Sequence, residues 1–187
     1  MVGLRPLRTI ITIIAALTVV SCGNDVQIEL GNPLRPIPNF RGVDQYGEAF
    51  DASALRGSWW IGSFFFTTCE TVCPMLNTEV GRLHRTYSDV VTFVSITTDP
   101  TTDTPEVMKA YGDGYGAKRG SWHFVRMPDD SMRSTISTGF GLIRPDEPDM
   151  HSTRLVLVDD NMNVRAYFDA SDSGEVARLE HILGGLR

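Results

Sequence analysis

Two cysteines, four positions apart, are the most chemically reactive side chains in this 187-residue chain. Cys69 and Cys73 lie in "FFFTTCETVCPMLN", residues 64 to 77, between an aromatic run and a proline. Thiolates act as nucleophiles, as redox groups and as soft metal ligands. The pair could therefore form a structural disulfide, a redox couple, a peroxide-reducing thiol or part of a metal site.

The residues on either side indicate how the two thiols are positioned. "WWIGSFFF" is an almost continuous apolar run, typical of a strand buried on both faces. Pro74 suits the first turn of a helix. Cys69 then lies in the connecting loop and Cys73 at the helix N-terminus. Because the helix dipole and unpaired N–H groups stabilise a thiolate there, we expect the pKa of Cys73 to lie below that of a free cysteine.

Two of the four uses fit the sequence poorly. A disulfide that closes so short a loop removes little entropy from the unfolded chain, so a purely structural bridge is disfavoured. A peroxiredoxin would have proline seven and threonine three residues before its reactive cysteine. Those positions are Gly62 and Phe66 before Cys69, and Phe66 and Glu70 before Cys73. A redox couple and a metal site remain open.

A metal site would need a further soft or borderline ligand, which directs attention to the four histidines. We expect His84 and His181 on solvated helix faces, and a packing role for His123. His151 lies in a proline-interrupted loop before the strand "RLVLV", and such a loop can reach over a site built elsewhere. The neighbouring Met150 is interpreted as filling space rather than as a ligand. The residue types alone leave His151 an open candidate.

The rest of the chain predicts the elements that must hold this site. Residues 44–47 look like a hairpin turn, and "VVTFVSITT" is a second buried strand. Asp103 or Thr104 can cap a helix that begins with Pro105. "HFVRM", "RLVLV" and "NVRAYF" are further strands, an irregular or helical stretch covers about 130–142, and Asp172 begins a last helix. This order predicts an α/β domain with a central mixed sheet flanked by helices and an N-terminal hairpin.

The first 22 residues predict export and a membrane anchor. Arg5 and Arg8 precede an apolar run that is too short to span a bilayer comfortably. "VVSC" resembles a bacterial lipobox, which would make Cys22 the lipid-bearing first residue of the mature protein. The alternative is an uncleaved signal anchor, which would also leave the domain outside the cytoplasm. Residues 23–38 then read as a tether and 39–187 as the domain. Cys69 and Cys73 would be an isolated pair in a compartment where disulfides can form.

The charge of the chain excludes one class of function. The net charge is −6, and loss of the signal segment with its two arginines makes it −8. An acidic domain without a Lys/Arg block is a poor nucleic-acid binder.

Three ordered motifs resemble a known family. "TTCETVCP", "TTDPTTDTPE" and "DMHSTRLVLVDDNMNVRAYF" are similar, in this order and at these separations, to the Sco (SenC) proteins. The likeness covers about 39–186 and implies a thioredoxin-like fold that binds copper, as Cu(I) or Cu(II). It implies that Cys69, Cys73 and His151 are the copper ligands. It also implies a role in cytochrome c oxidase assembly. The export signal predicts that the domain lies on the extracytoplasmic (periplasmic) side of the membrane.

The resemblance leads to a function hypothesis and an alternative. The first is a metallochaperone for the binuclear copper centre of a respiratory cytochrome c oxidase. Its partners would be the copper-bearing subunit and other copper chaperones or thioredoxin-like reductants. The alternative is a thiol-disulfide reductase that keeps the copper-ligand cysteines of the oxidase reduced, so whether the protein is an enzyme stays open. A copper or redox sensor is disfavoured because no further domain is appended.

The chain also departs from the family pattern next to the first cysteine. The family commonly has Pro and Asp there, where this chain has Glu70 and Thr71. Asp99 ends the second strand close to the expected site. We expect it to support the metal ligands without binding the metal itself. Asp103 is explained sufficiently as a helix cap.

Overall fold

The structure is a computed structural model that describes residues 30–142 and 152–187. Its strands form one sheet of eight, in the order β1-β8-β7-β4-β5-β6-β2-β3. The strands are β1 (Arg35–Pro36), β2 (Arg41–Asp44), β3 (Ala49–Asp51), β4 (Trp60–Phe65), β5 (Thr92–Thr97), β6 (Trp122–Arg126), β7 (Arg154–Val158) and β8 (Asn163–Asp169). The helices are α1 (Val72–Tyr87), α2 (Pro105–Gly114), α3 (Asp129–Ser134) and α4 (Ser173–Gly185), with a 3-10 turn at Ala52–Leu55 and a π-helical turn at Thr135–Phe140.

The sheet is mixed, as predicted. β4, β5 and β6 run parallel at its centre, whereas β7 pairs antiparallel with both β4 and β8. We call the end where β4 and β5 terminate the carboxyl end of the sheet, and the opposite end the amino end. Because β7 is antiparallel to β4, its first residue Arg154 lies at the carboxyl end. For the same reason β8 begins at the amino end, with Asn163.

Apolar side chains cover both faces of the sheet. One face packs under α1, α2 and α4, through residues such as Leu76, Phe124 and Leu179. The other face packs against the N-terminal segment and the π-helical turn, through residues such as Ile37 and Phe140. The central strand β4 is buried along its whole length, which explains its apolar sequence.

The predicted helix signals are confirmed with one change. On α1 the apolar positions Leu76, Val80 and Leu83 are fully buried. Thr104 caps α2 by accepting a hydrogen bond from the N–H of Val107, and Asp172 caps α4. Asp103, the other candidate cap of α2, has a different role that is described below.

Residues at the end of the predicted tether belong to the sheet. Within 23–38, Arg35 and Pro36 pair with β8, and Ile37 is buried. Leu34 donates its N–H to the carbonyl of Val164. The folded domain therefore begins before residue 39, within the described part of the predicted tether. None of the helices in the part of the chain that the structure describes is long and apolar enough to cross a membrane.

Candidate metal and redox site

The two cysteines lie at the carboxyl end of the sheet, as predicted. Cys69 is in the loop that follows β4, and Cys73 is the second residue of α1. Both thiols are free, and the exposed fractions of the two residues are only 7% and 4%. The backbone N–H of Cys73 donates to the sulfur of Cys69 at 3.4 Å. The two side chains are thus close together and almost fully buried.

The expectation that the pKa of Cys73 lies below that of a free cysteine is wrong. Burial, together with the hydrogen bond to the Cys69 side chain, raises the pKa of Cys73 to about 12. Burial also tends to raise the pKa of Cys69, but hydrogen bonds from the side chain and N–H of Cys73 outweigh it and lower the pKa to about 7. The N–H of Cys73 near the start of α1 therefore stabilises the thiolate of Cys69 rather than that of Cys73.

Thr71 adds a weaker interaction on the other side of Cys69. Its hydroxyl lies 3.9 Å from the Cys69 sulfur, and its backbone and side chain both lower the pKa of that thiol. Thr71 stands where the family commonly has aspartate. A neutral hydroxyl favours the thiolate, whereas a carboxylate beside it would oppose the negative charge.

Asp103 is the residue of this region that the sequence interpretation missed. Its side chain is fully buried, and its carboxylate accepts hydrogen bonds from the N–H of Thr67 at 3.2 Å and from the hydroxyls of Thr67 and Thr97. Thr67 follows β4 and precedes Cys69 by two residues, and Thr97 ends β5. Asp103 therefore ties the ends of two neighbouring strands together and fixes the origin of the Cys69 loop.

A sequence signal for this role exists in retrospect. Polar residues that follow adjacent parallel strands converge at the same end of a sheet. Thr67, Thr97 and Asp103 meet that condition, but a helix cap was a sufficient explanation for the aspartate.

Asp99 lies at the same end of the sheet, half-exposed. Its carboxylate accepts a hydrogen bond from the N–H of Thr102 at 3.2 Å, and its own N–H donates to the hydroxyl of Thr97. These bonds shape the turn between β5 and α2. Its supporting role at a metal remains a prediction.

The histidines divide differently from the prediction. His84 is fully buried rather than solvated, with its Nε2 2.8 Å from the hydroxyl of Ser121 and its ring between Phe93 and Trp122. His84 follows Val80 by four residues, so it continues the buried stripe of α1. His123 is half-buried against Phe50, which confirms its packing role. His181 is exposed, as expected.

His151 and Cys22 lie outside the described residues, so their predicted roles as ligand and lipid carrier remain predictions. Among residues 30–142 and 152–187, no group of three His, Cys, Asp or Glu side chains is arranged to hold a metal ion. Cys69 and Cys73 are two donors, and a metal there needs at least one more.

Comparison with known proteins identifies the family. The SCO1/SenC family model matches residues 31–182. The chain belongs to the SCO1/SenC family. An SCO2-like protein of Rickettsia prowazekii is 30% identical over 155 residues, which cover 76% of this chain and 70% of that protein.

Solved Sco structures share the fold. A SCO1/SenC family lipoprotein of Bacillus anthracis superposes with a TM-score of 0.74 at 23% identity, covering 83% of this chain and 98% of that chain. ScoI of Bradyrhizobium japonicum, solved with copper bound, gives a TM-score of 0.59 at 23% identity and covers 78% and 98%. The thioredoxin-like fold implied by the sequence motifs is thereby confirmed.

Proposed function

We propose that this Sco protein binds copper as cargo and delivers it during assembly of the binuclear copper centre of a respiratory cytochrome c oxidase. The observation that carries the proposal is the pair of reduced thiols at the carboxyl end of the sheet. One of them, Cys69, is stabilised as a thiolate. The pKa of about 7 for Cys69 means that a large share of this thiol is ionised near neutral pH. Membership of the family and the copper bound to ScoI of Bradyrhizobium japonicum favour copper as the metal.

The donor set suits copper on chemical grounds as well. Two thiolates with one imidazole make a soft site of low coordination number, which Cu(I) prefers, and an added oxygen ligand would admit Cu(II). Zinc is the main competitor, because two cysteines and a histidine with an open position also describe some zinc sites. Binding of copper would displace the proton of Cys73, since only the thiolate is a ligand.

His151 is proposed as the third ligand. Supporting this, β7 begins at Arg154, at the carboxyl end of the sheet and directly beside β4. Adjacent strands are about 4.8 Å apart, and His151 precedes Arg154 by three residues, a reach of at most about 11 Å. A histidine at this position in the chain can therefore meet sulfur atoms that follow β4.

Delivery would proceed by exchange of ligands without a change in the copper oxidation state. A thiolate of the copper-bearing oxidase subunit would add to the metal, and each cysteine of this chain would leave in turn and take up a proton. Other copper chaperones would load the site by the reverse exchange. We place the domain on the periplasmic side of the membrane, anchored through lipid on Cys22.

One observation also supports the alternative, a thiol-disulfide reductase that needs no metal. A thiolate with a pKa near 7 is well suited to attack a disulfide. Cys69 would attack one sulfur of a disulfide in the oxidase subunit and release the other sulfur as a thiol. Cys73 would then attack Cys69, which closes the Cys69–Cys73 disulfide and leaves the partner reduced by two electrons.

An anaerobic Cu(I) competition titration of the domain from Gly23 onward separates the two functions. The reduced form and the disulfide form are compared with Cys69→Ala and His151→Ala, and His181→Ala serves as the matched histidine control. We expect one tightly bound Cu(I) per reduced chain, weaker binding in Cys69→Ala and His151→Ala, and none in the disulfide form. Weak binding that is indifferent to His151 would refute the copper function and support the reductase.

A further inference from the structure

We propose that the anchored domain is oriented with the amino end of its sheet facing the membrane, so that Cys69 and Cys73 face away from the lipid. The partner is then a protein whose metal-accepting thiolates lie in the aqueous phase above the membrane surface. This inference rests on the lipid anchor at Cys22 that is part of the proposed function.

The first observation is a strap formed by residues 30–37, which fastens the incoming chain to the start of β8. Leu34 and Ile37 donate their N–H groups to the carbonyls of Val164 and Met162, at 2.9 and 2.8 Å. Arg165 donates from Nη2 to the carbonyl of Gly31 at 2.7 Å. Ile37 and Leu30 are buried, with exposed fractions of 3% and 8%. The strap is therefore part of the folded domain.

The strap places the anchored chain far from the cysteines. β8 begins at the amino end of the sheet, while Cys69 follows the carboxyl end of β4. The six residues of β4 alone span about 20 Å. Cys22 precedes Leu30 by eight residues, which extend to at most about 28 Å. The tether thus keeps the strap within about 28 Å of the lipid. When the amino end faces the membrane, the cysteines lie a further strand length away.

The second observation is a charge difference between the two ends, which favours that orientation. Exposed basic side chains surround the amino end. Arg56 precedes β4, Lys118 and Arg119 precede β6, Arg85 lies in the last turn of α1, and Arg187 follows α4. Glu48 and Asp89 pair with two of them, Asp113 at the end of α2 is offset by its ion pair with Lys109, and Asp160 adds a further carboxylate. The balance at this end is positive.

The carboxyl end has the opposite balance. Carboxylates follow β4, β5, β6 and β8 or begin the helices there: Glu70, Asp99, Glu106, Asp129, Asp130, Asp169, Asp172 and Glu175. Arg126, Arg133 and Arg154 offset only part of this charge. Anionic lipid attracts the basic end and repels the acidic one over about a Debye length, roughly 8 Å at physiological salt.

The inference can be tested with the lipidated chain in vesicles of phosphatidylcholine and phosphatidylglycerol. In a Cys69→Ser, Cys73→Ser background, a single labelling cysteine is introduced as Asp160→Cys at the amino end or Glu106→Cys at the carboxyl end. Both residues are exposed, so neither change disturbs the core. Energy transfer from each label to a headgroup acceptor then gives its height above the lipid.

We expect the label at Asp160 to lie closer to the lipid than the label at Glu106 by about 20 Å, the length of the central strand. Arg56→Glu with Lys118→Glu should reduce that difference, and high salt should do the same. Equal heights, or a label at Glu106 that lies lower, would overturn the orientation while leaving the anchor intact. Failure of the chain to float with vesicles would overturn both. Cu(I) binding by the intact site is measured separately, so its failure would refute the copper function alone.

Discussion

The N–H of Cys73 donates to the sulfur of Cys69 across 3.4 Å, so the start of α1 stabilises the first cysteine rather than the second. The two thiols therefore have unequal roles before any metal or partner arrives. Under either proposed function, Cys69 would meet a metal or a disulfide as a thiolate, and Cys73 would stay protonated until that encounter.

Selective alkylation tests this inequality. With a pKa of about 7 for Cys69 and about 12 for Cys73, brief treatment of the reduced protein near neutral pH should modify Cys69 first. The lower nucleophilicity of a more acidic thiol offsets part of the advantage, but we expect at least about a tenfold preference. The rate at Cys69 should rise with pH through about 7 and then level off. Peptide mass spectrometry gives both rates.

The Cys69→Ser variant provides the control for that experiment. Its remaining thiol, Cys73, should react slowly near neutral pH because the buried sulfur stays protonated. Equal modification of the two cysteines, or a rate at Cys69 that keeps rising to the pH of an ordinary thiol, would contradict the assignment.

Replacement of Asp103 should weaken the fold at the point where the site is built. In Asp103→Ala the N–H and hydroxyl of Thr67 and the hydroxyl of Thr97 lose a buried acceptor. Unsatisfied buried donors cost about 1–3 kcal/mol each, and partial relaxation should leave a loss of about 3 kcal/mol in the free energy of unfolding. Urea denaturation measures this loss.

Asp113→Ala is the matched control for Asp103→Ala, because Asp113 is an exposed aspartate on α2 that pairs with Lys109. Its loss should cost no more than about 0.5 kcal/mol. If both variants lost the same stability, Asp103 would have no special part in holding the Cys69 loop.

Much of this organisation could be predicted from sequence, and the failures have physical causes. The apolar run of β4 and Pro74 located both cysteines correctly, because strand burial and helix starts depend on local residue patterns. Which thiol is acidic depends on side-chain burial and on the direction of one N–H group. Both are determined by the tertiary structure, which local sequence patterns do not reveal. Asp103 and His84 were misinterpreted for the same reason: each has a reasonable local role, but packing gave it a different one.

Close packing on β4 predicts that Gly62 cannot be replaced without cost. A Cβ at Gly62 would lie 2.9 Å from Cε1 of Phe140, whose ring is fully buried and packs edge-on against Trp60 and Phe64. Overpacking of this kind costs about 1–3 kcal/mol. We therefore expect Gly62→Ala to lower the thermal midpoint of unfolding. Gly184→Ala, on α4 with open space around it, should be neutral or slightly stabilising, and a similar loss in both would contradict the packing explanation.

The burial of His84 predicts a loss of stability in mild acid. Burial lowers the pKa of His84 from 6.5, and the positive charges of Lys118 and Arg85 lower it further. The unfolded chain therefore binds a proton at this residue more readily than the folded chain does. The contribution of His84 to stability is complete above pH 6.5 and declines as the pH falls from there towards the lower pKa of the folded state.

A glutamine at this position separates that effect from other titrations. His84→Gln can still hydrogen bond to Ser121 but carries no titrating group, so its free energy of unfolding should fall less steeply below pH 6.5 than that of the unaltered chain. Urea unfolding above and below pH 6.5 gives both slopes. Parallel curves for His84→Gln and the unaltered chain would show that His84 is not the group responsible.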